Sequence, residues 1–197
     1  MIINLKQFYH LKKWLWNKYF AISFIVTISL VIFFYLIPLK NPLFDDDYSH
    51  MVLDANDEIL RVYLNNNQQW IIPIEYQNKI PKKLKISILN FEDRYFYYHL
   101  GFNPVSIIKA WRRNSKEGKI ISGASTITMQ LARLSEPKKR SYKHKFLEVL
   151  KAIKIELLYS KNDIFNDYIT HAPFGNNIQG FYAASFFYFN RKPIDLS

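Results

Sequence analysis

The chain has 197 residues, enough for one folded domain with appendages, and its 49% hydrophobic and 17% aromatic content excludes global disorder. Cysteine is absent, which excludes a disulfide framework and any cysteine-based metal site. The formal net charge is +11; the first forty residues hold five lysines and no acid, leaving +6 on the rest, a surface that calls for an anionic partner such as phosphate or an acidic membrane face.

The first predicted element is a membrane span. Tyr19 to Leu39 contains no charged side chain, and about 20 apolar residues are enough to cross a bilayer. Trp14, Trp16 and Tyr19 form an interfacial belt at one end. Lys6, Lys12, Lys13 and Lys18 precede the span and Asp45, Asp46 and Asp47 follow it, so the positive-inside rule puts the N-terminus in the cytoplasm and the body outside. A cleavable signal peptide would have a shorter apolar core and small residues at a cleavage site, and "FFYLIPLKNP" offers none. The expected layout is a cytoplasmic tail over 1–18, an uncleaved anchor over 19–39, a linker and β-hairpin over 40–80, and a helical domain over 81–197.

Within the linker region, Val52, Leu53, Ile59, Leu60, Val62 and Leu64 flank a polar turn at Asp54–Glu58, the pattern of a hairpin. "QQWIIPIEY" adds a further extended piece, confined to an edge by Pro73. Pro81 then opens a helical period with Leu84, Ile88 and Leu89 on one side, ending near Glu92. From there to the C-terminus only helical patterns appear, including a capping box from Ser160 to Asp163. The fold class is mainly α with a small β appendage.

Four stretches carry chemistry. In "NFEDRYFYYHLGFNP", Asn90 to Pro104, Glu92 sits at a helix end among five aromatic residues. The negative helix pole and water-stripping rings both favour its protonated form, the tuning a general acid or base needs. Taken alone it reads more readily as a solvated helix-end acid. In "SGASTITMQLARL", Ser122 to Leu134, small residues and the Ser125, Thr126 and Thr128 hydroxyls stand where a helix starts, an anion seat. Gln130 and Arg133 follow on that helix, and Arg133 can fork onto a phosphate. The alternative is an ordinary capped helix. In "KKRSYKHKFLEVL", a basic run with Lys145 leads into a helix carrying Glu148. "VSIIKAWRRNSKEGKII" sets Trp111 beside Arg112 and Arg113, an amphipathic cationic stretch suited to a bilayer interface. The outward topology and the lack of any nucleic-acid motif argue against a nucleic-acid partner.

These residues match a family pattern. "EDRYFYYHLG", Glu92 to Gly101, resembles the E-D-x-x-F-x-x-H-x-G motif of the family 51 peptidoglycan glycosyltransferases, and "GASTITMQ", Gly123 to Gln130, resembles their G-G-S-T-I-T-x-Q. "HKFLE" looks like R-K-x-x-E, and "SKNDIFNDYIT" is similar to S-K-x-E-I-L-x-x-Y-L-N. "APFGNNIQGFYAASFFYF" resembles the segment beyond, its opening pointing to the C-type branch of class A penicillin-binding proteins. The likeness runs from Ser49 to the C-terminus.

It implies a lysozyme-like helical domain on an N-terminal transmembrane helix in the bacterial inner membrane, polymerising lipid II into glycan strands. Its small lobe, with Trp111, Arg112 and Arg113, would sit in the membrane. Glu92 would be the general base, taking a proton from the acceptor's hydroxyl while lipid pyrophosphate leaves with inversion. Glu148 would assist at the pyrophosphate or at a divalent cation, magnesium or manganese. Arg94, Ser125, Thr126, Gln130, Arg133 and Lys145 would bind substrate or phosphate. The partners implied are lipid II, the growing glycan chain, inner-membrane lipids and a separate transpeptidase.

The chain departs from the pattern at Ala124, Met129, His144 and Thr170. It carries no transpeptidase motif, and family domains continue with further helices past "RKPIDLS", so a truncated domain with apolar surface uncovered on its last helix is expected. A non-catalytic precursor-binding or scaffold protein is the alternative function, and a lysozyme-like hydrolase a third.

Overall fold

The computed structural model describes residues 5–45, 47–73, 80–119, 123–139 and 141–196. Two compact units follow one another, residues 1–38 and 39–197. The first is a helix, α1 (Leu5–Leu36), whose window Lys18–Leu36 has a mean hydropathy of 2.3 with no residue of it buried. A core helix of a soluble domain would be buried, so length, composition and exposure all suit a membrane span. Two boundaries differ from expectation. The stretch expected as a tail is helical from Leu5, and the span ends at Leu36 rather than Leu39, because Pro38 disfavours helical backbone at the residue before it.

In the second unit, β1 (Met51–Leu53) and β2 (Ile59–Val62) form the expected antiparallel hairpin, Met51 opposite Val62. Its turn is closed by Asp54, whose Oδ1 accepts the Asn56 and Glu58 N–H groups, each at 2.8 Å. The extended piece before Pro73 is β3 (Trp70–Ile71). It pairs in parallel with β4 (Ile178–Gln179), a strand inside the half of the chain that reads as wholly helical. Two residues are too few to leave a period of two in the sequence. Through this pairing, and a small core of Val62, Ile72, Ile178, Tyr182 and Ala183, the β appendage belongs to one body with the helices. The boundary drawn at residue 80 therefore separates nothing.

Among the described residues six further α-helices follow: α2 (Lys82–Glu92), α3 (Pro104–Glu117), α4 (Ile127–Ser135), α5 (Tyr142–Leu158), α6 (Lys161–His171) and α7 (Phe181–Phe189). The capping box is present: Ser160 Oγ accepts the Asp163 N–H and Asp163 answers the Ser160 N–H. At the centre lies α4, with five of its nine residues buried, among them Ile127 and Leu131 against Phe96, Ile155 and Phe165. Each large side chain so buried contributes roughly 1.5–3 kcal/mol. Helix α3 is the opposite case. Asn103 caps it, accepting the Ser106 N–H, and left-handed Gly118 ends it, but Ala110 is its one buried residue. On α7 the last turn leaves Phe189 63% exposed, in line with the apolar surface expected there.

One glycine fixes the site's position. Gly101 has φ +83°, and a Cβ there would stand 2.7 Å from the Ala152 carbonyl of α5. No other residue type fits without moving α5.

Candidate active site

Helix α2 stops between two acids, and they go separate ways. Asp93 leaves helical backbone at φ −160° and turns inward, 7% exposed. Its carboxylate accepts from His99 Nε2 at 2.9 Å and from the Ile127 N–H, the first of α4, at 3.1 Å. A buried anion on a helix N-terminus is favourable there, and this one clamps the end of α2 to the start of α4. Asp93 is thus the structural neighbour of Glu92 and not a second acid.

Thr126 completes the junction. Its hydroxyl accepts the Met129 N–H at 3.1 Å and donates to the Gly101 carbonyl at 2.6 Å. It is 3% exposed, so the side chain expected to touch substrate is spent on holding α4 to Gly101. Beneath it Thr128 donates to Glu156, which also pairs with Lys161 at 2.8 Å. Lys161 donates in turn to the His99 carbonyl and lies 4.4 Å from the Phe96 ring centroid. This network was not legible from sequence, since no local spacing joins residues so far apart.

Glu92 faces the other way. Gln130, one turn into α4, donates from Nε2 to Glu92 Oε2 at 2.8 Å. The Tyr168 hydroxyl of α6 reaches Gln130 Oε1 at a long 3.5 Å. Burial, and then the charge of Glu92, push the Tyr168 phenol up, while Arg133 acts in the opposite sense. Glu92, Gln130, Tyr168 and Arg133 therefore share one neighbourhood. Tyr168 lies in "SKNDIFNDYIT" but carried no assigned role; its place on α6 facing α4 was the missing signal. The expected aromatic wall around Glu92 is absent. Phe91 and Tyr98 are 89% and 87% exposed, and only Phe96 is buried. The helix ends at Glu92 and a 3₁₀ turn follows at Phe96–Tyr98, so successive rings point in different directions.

A second cluster forms beside it. Lys145 Nζ donates to Ser125 Oγ at 2.7 Å and to Glu148 Oε2 at 2.9 Å. Arg133 and Glu148 border one narrow cleft of about 20 Å³, the room of a single water. His144 borders it too, its Nδ1–H donating to the Lys139 carbonyl at 2.6 Å. Lys151 closes the floor, paired with Glu136 at 2.7 Å, and that hydrogen bond holds the Glu136 carboxyl below its usual range. The two clusters meet along α4, where Gln130 serves one and Arg133 borders both.

The remaining predicted residues stand apart. Arg94 is exposed and makes no hydrogen bond or ion pair with a described residue. Trp111, 67% exposed, and Arg112 and Arg113 lie on α3. Among the described residues no group of three or more His, Asp or Glu could hold a metal ion. The carboxylate assigned to a divalent cation, Glu148, already carries the Lys145 ammonium.

The model of the transglycosylase family matches residues 56–197, which include the whole of this helical site. The chain belongs to the transglycosylase family, whose domain is the expected lysozyme-like helical fold. Among curated proteins it is 33% identical to penicillin-binding protein 1C of Escherichia coli K12 over 79% of this chain and 20% of that one. It is 41% identical to penicillin-binding protein 4 of Bacillus subtilis 168 over 59% of this chain and 19% of that one. It is 38% identical to the biosynthetic peptidoglycan transglycosylase of Paraburkholderia xenovorans LB400 over 61% of this chain and half of that one. The chain thus matches about a fifth of the length of the penicillin-binding proteins and half that of the transglycosylase.

Proposed function

We propose that this chain polymerises lipid-linked disaccharide into glycan strands, as a peptidoglycan glycosyltransferase with Glu92 as general base. The observation that carries the reading is the Gln130–Glu92 hydrogen bond beside Arg133. Gln130 holds Glu92 Oε2 and leaves Oε1 to accept a proton. The acceptor's sugar hydroxyl loses its proton to Glu92, and its oxygen bonds the anomeric carbon of the growing chain. The bond from that carbon to the lipid pyrophosphate breaks with inversion, and the pyrophosphate takes the electron pair. Negative charge grows on that leaving group, where Arg133 and Lys145 stabilise it. Ser125 and Glu148 hold Lys145 in place. Arg94, exposed and unpaired with any described residue, is free to meet substrate.

Helix α1 anchors the chain in the bacterial inner membrane, N-terminus in the cytoplasm, as the lysine bias before it favours. Helix α3 lies in the interface, Trp111 among the lipids and Arg112 and Arg113 on anionic headgroups. The partners are lipid II, the glycan chain and a separate transpeptidase.

The test is polymerisation of labelled lipid II by the full chain in detergent or vesicles, beside Glu92→Gln. Longer glycan from the wild type alone supports the reading. Precursor binding that is equal in both proteins, with polymer from neither, makes the chain a non-catalytic binding protein instead. Release of soluble fragments from finished cell wall marks a hydrolase.

A further inference from the structure

The last turn of α4 separates two cavities. Arg133 and Glu136 border the narrow cleft described above, whereas Leu134, Ser135 and Pro137 border a larger one on the other side. Its volume is about 570 Å³, within the roughly 300–1,000 Å³ of small-molecule sites. Its other walls come from the segment after residue 39, the loop between β2 and β3, and the ends of α6 and β4. No role assigned above uses it.

The charges around this cavity are already answered. Lys40 sits on Asp45 at 2.7 Å. The Asp47 carboxylate accepts the side-chain amides of Asn66 and Asn67 at 3.0 and 2.8 Å. His171 is neutral at pH 7, because burial pushes its pKa down to about 4. Among the described residues Lys40 is the one cation on the wall, and it is paired, so these walls offer little to a phosphate.

What is left unanswered is neutral and polar. The carboxamides of Gln69 and Gln179 border the cavity with no side-chain hydrogen bond to a described residue. The His171 ring also borders it, stacked on Phe44 at 3.8 Å and hydrogen-bonded to no described residue. Each carboxamide offers both a donor and an acceptor, and a neutral imidazole offers one of each. Hydroxyl groups are likewise donor and acceptor at once, so a polyol answers all three side chains without introducing charge. The cavity is open, so these side chains are left to water, and the hydroxyls of a polyol can replace that water hydrogen bond for hydrogen bond.

We infer that this cavity is a subsite for a neutral, hydroxyl-rich saccharide, bound by Gln69, Gln179 and His171. The identity of the sugar, a piece of glycan strand, rests on the function proposed above; the binding itself does not. The cavity lies back to back with the Arg133 cleft, so one helix turn divides a site for charge from a site for sugar.

The probe is a soluble tetramer of N-acetylglucosamine, free of lipid and phosphate, titrated into the full chain in detergent and followed by saturation-transfer NMR and calorimetry. Gln69→Ala and Gln179→Ala each weaken binding about tenfold, the scale of one lost hydrogen bond. Gln179→Phe removes the carboxamide and narrows the cavity, and it weakens binding at least as far as Gln179→Ala while the melting temperature holds. Glu92→Gln binds the tetramer like the wild type, and inorganic pyrophosphate does not compete. The inference is overturned if no tetramer binds, if Gln179→Phe binds as tightly as the wild type, or if pyrophosphate displaces the sugar. Glutamine-dependent sugar binding in a chain that makes no polymer would support the subsite and sink only the polymerase reading. Polymer formation with unchanged affinity in the glutamine variants would do the reverse.

Discussion

The α2–α4 junction and helix α3 are neighbours in sequence and opposites in construction. At the junction, Asp93, His99, Thr126 and Gly101 are tied by buried hydrogen bonds to the start of α4. In α3, Asn103 and Gly118 set the two ends and almost nothing holds the middle. Val105, Ile108 and Trp111 are each at least half exposed. An isolated helix of 14 residues is marginal in water, and α3 gains little burial from the rest of the chain, whereas the junction is held by its own buried hydrogen bonds. The geometry around Glu92 is therefore set within the chain, and on the function proposed here only the capture of a lipid-linked substrate depends on a membrane.

Several changes would break or sharpen that contrast. The largest effect belongs to Glu92→Gln, which should lower the rate of polymerisation by about 10²–10⁴, the range of a lost general base, with the circular dichroism spectrum unchanged. Asp93→Ala should cost roughly 3 kcal/mol of stability, read as the melting temperature, because His99 and the Ile127 N–H lose a buried acceptor. If instead it melts like the wild type, the junction is not self-sufficient. Replacing Arg112 and Arg113 with Gln should leave the melting temperature alone and raise KM for lipid-linked substrate in anionic vesicles by about thirtyfold, at about 1 kcal/mol per lost cation. Any large loss of stability would place α3 with the junction after all.

Tyr168→Phe should lower kcat only several-fold, since its 3.5 Å contact with Gln130 is long. The smallest effect is at Asp167, whose carboxyl burial and then the charge of Asp163 push up to about 6, from an ordinary 3.8. An acid so raised keeps its proton longer in the folded state, so the protein loses stability as pH rises through 6. Asp167→Asn should therefore stabilise at pH 7, by about 1 kcal/mol once solvent screening is allowed for, and make no difference below pH 4.

Much of this was legible in the sequence, and the failures have physical causes. The hairpin, the Ser160–Asp163 box and the end of α2 at Glu92 were read correctly because each depends on residues a few positions apart. Glu92, Gln130, Arg133, Lys145 and Glu148 were each singled out, but the Gln130–Glu92 bond spans 38 positions and leaves no periodic trace. The strand β4 and the inward hydroxyl of Thr126 were missed for the same reason: what decides them is distant in the chain. The aromatic wall failed because a cluster in sequence was read as a cluster in space.

Gly101 carries a lesson for anyone wishing to move this chemistry elsewhere. The span from Asn90 to Gly101 looks like a self-contained cassette, twelve residues with acid, histidine and turn included. Its last residue, though, is shaped by the carbonyl of Ala152 on a helix fifty positions away, which leaves no space for even one methyl group. A graft that carried the cassette without α5 would transplant the letters and lose the angle at which they are read. The transferable unit is a stretch of chain together with the helix that presses against it.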